Sequence, residues 1–266
     1  MKSSKIEWTH STFNPWWGCE KVSPGCTNCY AEAFAKRVGQ KVWGGTSPRR
    51  FFGDAHWNEP VKWNREAAKS GQPWRVFCAS MADVFEDRRD LDPQRERLWT
   101  LIDATPALTW LLLTKRPQNI KRLARSETAL NRSNVWLGTT VERPEEAWRI
   151  DALQTTPAWI RFLSVEPQVA PFDAIDLYGI EWVIQGGESG GKARPFDLAW
   201  ARWMRDRCRE SDVAYHLKQL GGYAIDSTGR PSPLFDRVAL TSAKGGDWSE
   251  WPEDLRVREY PTVGVT

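Results

Sequence analysis

The sequence predicts an α/β protein built on a partial parallel (β/α)6 TIM-like barrel, with an insertion after the first βα unit and an irregular C-terminal tail. Three observations support this prediction: short apolar runs recur along the chain, amphipathic segments separate them, and polar residues follow each run. Successive runs after the first lie about 22 to 35 residues apart, a spacing typical of right-handed βα units.

The apolar runs are predicted to be buried strands, because they are short and rich in aliphatic and aromatic side chains. The predicted strands are Ser11 to Asn14, Arg75 to Ala79, Leu108 to Leu113, Asn134 to Gly138, Trp159 to Leu163, Trp182 to Gln185 and Ala214 to Leu217. Seven strands fall short of a complete eight-stranded barrel.

Amphipathic segments with Asp, Pro or Ser near their starts predict helices between the strands. They are Pro93 to Ala104, Pro117 to Arg125, Glu145 to Leu153 and Leu198 to Arg209. The insertion, residues 36–74, fits either a lid or substrate arm, or an irregular cap. We expect residues 1–222 to form the barrel and residues 223–266 to form an extension packed on it, because the chain after Tyr223 is rich in Gly, Pro, Ser and Asp.

Composition narrows the class of protein. The net charge is +3, and 27% of residues are charged. A membrane span requires about 18 consecutive apolar residues, and no apolar run is near that length. The charge neither requires nor excludes a nucleic-acid partner. The odd count of 5 cysteines and the lack of an apolar leader segment favour a reducing cytoplasm over a disulfide framework.

Three of the cysteines, Cys19, Cys26 and Cys29, lie in one loop after the first strand. The pair Pro24-Gly25 predicts a turn, and the Cys26-x-x-Cys29 spacing lets two sulfurs face one metal group. Structural zinc takes four protein ligands, whereas a cubane iron–sulfur cluster with three cysteines keeps one iron open. A zinc site completed by His10, Cys78 or a distant carboxylate is the alternative.

The other two cysteines, Cys78 and Cys208, are predicted to be buried structural residues. Tryptophan is abundant at 17 residues, which suits either core packing or stacking on bases. Trp16 and Trp17 precede the first cysteine and would form a dry wall beside a cluster. In the insertion, Arg49 to Phe52 combines cations and rings that suit phosphate contact and stacking.

Polar residues and glycines follow the strands, where parallel α/β proteins bind ligands. One such residue is ordinary because chains turn there, but their joint occurrence beside a cysteine loop predicts a ligand site. The candidates are Ser80, Asp83, Lys115, Arg116, Thr139, Ser164, Glu166, Gly186, Gly187, Glu188 and Lys218.

Four segments, Trp8 to Pro15, Cys19 to Glu32, Phe162 to Pro167 and Trp182 to Pro195, resemble the bacteriophage three-cysteine-motif family of uncharacterised proteins. That family is similar to radical S-adenosylmethionine (radical SAM) enzymes of the spore photoproduct lyase type, which are partial (β/α)6 barrels. The chain departs from the usual Cys-x3-Cys-x2-Cys pattern, because six residues separate its first two cysteines. Its Gly-Gly-Glu motif follows the sixth strand instead of the second.

The resemblance implies an enzyme in which Cys19, Cys26 and Cys29 hold a [4Fe-4S] cluster and the open iron chelates S-adenosylmethionine. An electron from a donor such as flavodoxin or ferredoxin would split the cofactor. The resulting 5′-deoxyadenosyl radical would abstract hydrogen from a DNA, RNA or nucleotide substrate.

The resemblance also implies roles for the polar residues that follow the strands. Lys115, Arg116 or Lys218 would hold the methionine carboxylate, and Glu166 or Glu188 the ammonium or ribose hydroxyls. Ser80 and Asp83 stand at the alternative position for the amino group, and Gly186 and Gly187 would admit the adenosine.

Two other hypotheses stay open at the level of sequence. One is a zinc-stabilised nucleic-acid-binding phage protein without redox chemistry, which would also account for the tryptophans and arginines. The other is a phage interaction protein that keeps the barrel and cluster as an inactive scaffold.

Overall fold

Strands and helices alternate in the computed structural model, which describes residues 4, 6–72, 74–230 and 235–262. The strands are β1 Ser11–Thr12, β2 Trp16–Trp17, β3 Arg50–Phe51, β4 Trp74–Cys78, β5 Leu108–Thr114, β6 Val135–Thr140, β7 Ile160–Val165, β8 Trp182–Gly186, β9 Phe196–Asp197, β10 Ala214–Gln219, β11 Ala224–Asp226 and β12 Asp236–Arg237. The α-helices are α1 Tyr30–Arg37, α2 Asp54–Trp57, α3 Glu59–Ser70, α4 Asp92–Asp103, α5 Ile120–Leu123, α6 Glu127–Leu130, α7 Trp148–Gln154 and α8 Leu198–Glu210. Short 3-10 turns span Pro24–Cys26, Arg89–Leu91, Pro117–Asn119, Pro144–Glu146, Trp248–Glu250 and Glu253–Leu255.

One sheet has seven strands in the order β1-β4-β5-β6-β7-β8-β10. The sheet is parallel; for example, Val76 of β4 is paired with Ser11 of β1 and with Trp110 of β5. Neighbours follow chain order, as expected when each βα unit adds its strand beside the preceding one. The sheet is therefore compatible with a partial TIM-like barrel, and the predicted α/β class is confirmed.

All seven predicted strands are present, and each strand end lies within two residues of its predicted position. The predicted helices at α4 and α8 are also confirmed. The predicted helix from Pro117 to Arg125 is too long, because a 3-10 turn replaces its first residues and the backbone is extended at Ala124 (ψ 153°). Between β7 and β8, residues 166–181 form no helix.

The insertion contains helices that the sequence analysis missed. Helix α3 has Pro60 in its first turn and is followed by Gly71, which takes the left-handed conformation (φ 63°) that ends many helices. It buries Trp63 and Ala67. Proline near the start and glycine after the end are sequence signals of a helix, so this regular part of the insertion could have been predicted.

The chain divides into two compact units. Unit 1 comprises residues 1–22, 31–139 and 155–161, and unit 2 comprises residues 23–30, 140–154 and 162–266. In unit 1, the ring of Phe13 packs edge-on against Trp110, and both are fully buried. In unit 2, Phe162 packs against Trp182. Among the helices that the structure describes, none combines the length and apolar character that a membrane span requires.

The residues after 222 contribute to unit 2. Strand β11 pairs in parallel with β9, and the chain near residue 258 runs antiparallel beside β10. Leu217 N donates to Val257 O at 3.0 Å, and Trp182 Nε1 donates to Glu259 O at 3.0 Å. Of the predicted extension, residues 231–234 and 263–266 lie outside the described residues.

Gly187 permits a close approach of two backbone segments within unit 2. A Cβ atom there would lie 2.3 Å from Leu220 O, whereas a Cβ on Gly191 would meet nothing within 4 Å. We expect Gly187→Ala to lower the free energy of unfolding by about 1–3 kcal/mol, and Gly191→Ala to change it by less than about 0.5 kcal/mol. Urea unfolding measures both values, and equal effects of the two substitutions would contradict this packing account.

Candidate functional site

Each unit carries one cluster of charged side chains next to cysteine-loop residues. In unit 1 the Asp83 cluster comprises Asp83, Arg116, Thr114 and Cys19. In unit 2 the Glu188 cluster comprises Glu188, Arg194, Asn28 and Pro24. Both clusters are built from loops that follow strands of the seven-stranded sheet, together with the loop that carries the three cysteines.

Asp83 follows β4 and is buried. Its carboxylate accepts four hydrogen bonds: from Thr114 Oγ1 at 2.6 Å, Phe85 N at 3.0 Å, Lys115 N at 3.1 Å and Arg116 Nη1 at 2.9 Å. These donors occupy both carboxylate oxygens. Asp83 therefore fixes the loop after β5 and orients Arg116.

Arg116 extends this arrangement to the first cysteine. Its Nη1 lies 3.7 Å from Cys19 Sγ, and its Nη2 donates to Glu20 O at 2.8 Å. Burial raises the pKa of the Cys19 thiol to about 12; Asp83 and Glu86 add to the rise, and Arg116 opposes it. Cys19 is thus a protonated thiol at neutral pH unless a cation binds its sulfur.

A second buried ion pair ties the insertion to the loop after β4. Arg49 Nη2 lies 2.5 Å from Glu86 Oε1, and neither side chain is appreciably exposed. Arg49 Nη1 also donates to the backbone oxygens of Val42, Gly44 and Ser47. One guanidinium therefore holds the irregular segment 42–49 in place.

In unit 2, Glu188 and Arg194 hold the turn that carries the other two cysteines. Arg194 Nη2 donates to Glu188 Oε1 at 2.7 Å, and Arg194 Nη1 donates to Pro24 O at 3.0 Å. Asn28 Nδ2, between Cys26 and Cys29 in sequence, donates to Glu188 Oε2 at 3.0 Å. The Gly-Gly-Glu motif thus contacts the cysteine loop directly.

Glu142 supports the same turn. Its fully buried carboxylate accepts from Ser23 Oγ at 2.7 Å and from Arg149 Nη1 at 2.8 Å. A Cβ on Gly25 would lie 2.2 Å from Glu142 Oε1, so only glycine fits there without movement. Ser23 Oγ lies 3.8 Å from the sulfur of Cys26, which is buried.

The other predicted site residues contact neighbours within their own unit. In unit 1, Ser80 hydrogen-bonds Asn14, and Thr139 Oγ1 donates to Thr114 O at 3.0 Å. In unit 2, Lys218 Nζ lies 2.5 Å from Glu166 Oε1, joining two predicted residues. Ser164 is buried within β7.

The two glycines of the Gly-Gly-Glu motif pack against the chain after β10. The Cβ position of Gly186 is 3.1 Å from Gln219 O, and that of Gly187 is 2.3 Å from Leu220 O. Close backbone packing is therefore a sufficient reason for both glycines.

The structure adds ion-pair partners that were not among the predicted site residues: Arg49, Glu86, Glu142, Arg149 and Arg194. Three of them, Arg49, Arg149 and Arg194, lie in segments that the sequence had singled out for other reasons. Arg149 is on the predicted helix now seen as α7, on which a single arginine gives no sign of being buried.

All five cysteines are free thiols, and Cys78 and Cys208 are fully buried as predicted. Trp16 is also fully buried, while Trp17 is half-buried. Within the described ranges, no three His, Cys, Asp or Glu side chains are gathered as a metal-binding group. The donor chemistry of the cysteine loop, three thiols within residues 19–29, nonetheless suits iron or zinc.

The fold and the clusters define an α/β protein with a parallel sheet whose strand-following loops are fixed by buried arginine–carboxylate pairs. The chain belongs to the family described as "Protein of unknown function (DUF5131)", whose family model matches residues 3–252. Comparisons with curated proteins and with solved structures find no match.

Asp83 is expected to contribute strongly to stability because its ion pair with Arg116 is buried. Asp83→Asn removes the negative charge and places an NH2 group, itself a donor, among the hydrogen-bond donors that surround the carboxylate. We therefore expect the free energy of unfolding to fall by about 3 kcal/mol. Asp87→Asn is the matched control, since the Asp87–Arg122 pair is exposed and should contribute less than about 1 kcal/mol. Urea unfolding compares them; a loss for Asp83→Asn no larger than the control's would refute the assignment.

Glu188 gives a pH-dependent prediction. Burial acts to raise the pKa of this carboxyl, but hydrogen bonds from Arg194 and Asn28 outweigh burial and lower it. The stabilisation is therefore present above the ordinary glutamate pKa and is lost as pH falls through the lowered folded-state value.

Glu188→Gln should accordingly be less stable than the original chain at neutral pH, with a difference that shrinks under acid conditions. Urea unfolding between about pH 7 and about pH 3 tests this expectation. Glu253→Gln, at an exposed glutamate, serves as control and should show no such trend. A Glu188→Gln difference that stays constant with pH would argue against the ion pair.

Proposed function

We propose that the protein is an iron–sulfur enzyme of the radical SAM kind, in which Cys19, Cys26 and Cys29 hold a [4Fe-4S] cluster. The observation that carries the proposal is the presence of three free thiols within residues 19–29, the first of them beside the buried Asp83–Arg116 pair. Three thiolates leave one iron open, and this open iron distinguishes a cofactor-binding cluster from a closed structural zinc site.

Arg116 supports the proposal from the side of Cys19. It already donates towards the Cys19 sulfur, and a hydrogen bond to a ligating sulfur favours the reduced, more negative state of a cluster. Asp83 holds Arg116 in this orientation. In this assignment Asp83 and Arg116 are positioning residues.

Arg194 and Asn28 support it from the side of the other two thiols. Arg194 fixes Pro24 at the start of the 3-10 turn, and Asn28 is fixed by Glu188. Cys26 ends this turn and Cys29 follows three residues later, so these contacts would hold the backbone near both thiols for a metal. Such preorganisation lowers the conformational cost of ligation.

S-adenosylmethionine, when bound, would supply the oxidising radical chemistry, and the protein's residues would bind and orient it. We assign the methionine carboxylate to Lys218 and the ammonium group to Glu166. These two side chains form an ion pair at 2.5 Å, and a zwitterionic amino acid group can exchange with both partners of such a pair.

The cysteine assignment predicts which thiol substitutions abolish metal loading. Cys26→Ala should lose iron and acid-labile sulfide almost completely after anaerobic reconstitution, because two remaining thiolates do not hold a cubane cluster. Cys208→Ala is the matched control: its thiol is buried in α8 and iron content should not change.

Metal and sulfide analysis of the two purified variants beside the original chain gives the answer. Loss of iron in Cys208→Ala would overturn the ligand assignment. Stoichiometric zinc without sulfide in the original chain would overturn the enzyme proposal and favour a zinc-stabilised binding protein.

A further inference from the structure

A row of half-buried rings and exposed guanidinium groups lies on unit 1. We name it the ring–arginine surface and define it by Trp17, Phe34, Arg37, Arg50 and Phe52. The Arg50 guanidinium lies 4.9 Å from the Trp17 ring and 5.3 Å from the Phe52 ring. Arg37 lies 5.4 Å from Phe34, whose ring meets Trp17 edge-on at 5.7 Å.

Local structure explains how this surface forms. Strands β2 and β3 are antiparallel, and their register places Arg50 directly opposite Trp17, so the two side chains share one face. Phe34 and Arg37 are three residues apart on α1, a spacing that brings side chains together on a helix. Phe51 follows Arg50 in β3 and is paired with Trp16, so its side chain lies on the opposite face of the two-stranded ribbon.

The two arginines are charged groups without a carboxylate partner among the described residues. The nearby acids are engaged elsewhere: Glu32 pairs with Lys21 and Lys36, and Asp54 pairs with Arg97. A guanidinium that stacks on a ring keeps its N–H donors in its own plane, directed away from the ring. Arg37 and Arg50 therefore offer donors suited to phosphate oxygens.

We propose that the ring–arginine surface binds single-stranded nucleic acid. The arginines would contact successive phosphates, and the half-buried Phe34 ring would stack on a base. A single strand is favoured over a duplex because the faces of paired bases are already covered by their neighbours. Since Trp17 is two residues before Cys19, the bound strand would lie near the cysteine loop.

Single-stranded nucleic acid would be the substrate class of the proposed enzyme. Only this identification as a substrate rests on the proposed function. Binding itself needs no cluster. It can be measured on the metal-free chain, so failure of binding and failure of the iron–sulfur assignment are separate results.

The test uses a fluorescein-labelled oligodeoxythymidylate of about 12 nucleotides, within the range of known single-strand sites. Fluorescence anisotropy over a series of salt concentrations gives the affinity and its salt dependence. Arg50→Gln should weaken binding and reduce the slope of log affinity against log salt by about 0.7, the value for one lost phosphate contact. Phe34→Ala should weaken binding at least about fivefold with an unchanged slope, because stacking does not release counterions.

Arg97→Gln is the matched control. Arg97 also lies over a tryptophan ring, Trp57 at 4.5 Å, but it has a carboxylate partner in Asp54. The substitution removes the same charge and should leave both affinity and slope unchanged. Each variant's urea unfolding curve checks that the fold persists.

Three results would overturn the inference: no saturable binding of the strand, equal losses in Arg50→Gln and Arg97→Gln, or tighter binding of the corresponding duplex. The same measurements on the iron-reconstituted chain separate the two proposals. Intact strand binding without iron loading would overturn the enzyme and keep the surface, whereas iron loading with no strand binding would do the reverse.

Discussion

Charged side chains that leave water must be paired, and this constraint organises the loops of both units. Removing an arginine or a carboxylate from water costs several kcal/mol unless the partner and the remaining hydrogen bonds are supplied. Asp83 with Arg116 and Arg49 with Glu86 meet this requirement in unit 1. In unit 2, Glu142 pairs with Arg149, whose buried Nε has no hydrogen-bond partner within the described part of the chain. Each pair also binds backbone oxygens or hydroxyl groups, so satisfying the charges fixes the chain around them.

The cysteine loop depends on these pairs in both units. Arg116 contacts Cys19 and Glu20 in unit 1, and Arg194 and Glu188 hold Pro24 and Asn28 in unit 2. Several residues proposed from sequence to contact a cofactor therefore have a defined structural task.

Most of the sheet was readable from sequence, whereas the pairing of its loops was not. Apolar runs such as Leu108 to Leu113 are too short for a typical helix and predict a buried strand, which the structure confirms. Helix α3 was missed because its apolar face is narrow, although Pro60 and Gly71 mark its ends. The partners Arg49 with Glu86 and Asn28 with Glu188 are 37 and 160 residues apart. No local pattern encodes such a contact, because it depends on how the strands bring their loops together.

The central claim is that the three thiols hold a cluster with an open iron. Electron paramagnetic resonance of the anaerobically reconstituted and reduced protein, recorded before and after addition of S-adenosylmethionine, tests it most directly. Our account predicts a reduced [4Fe-4S] signal whose g values shift when S-adenosylmethionine binds the open iron. A protein that takes up no iron, or a cluster signal that S-adenosylmethionine leaves unchanged, would contradict it.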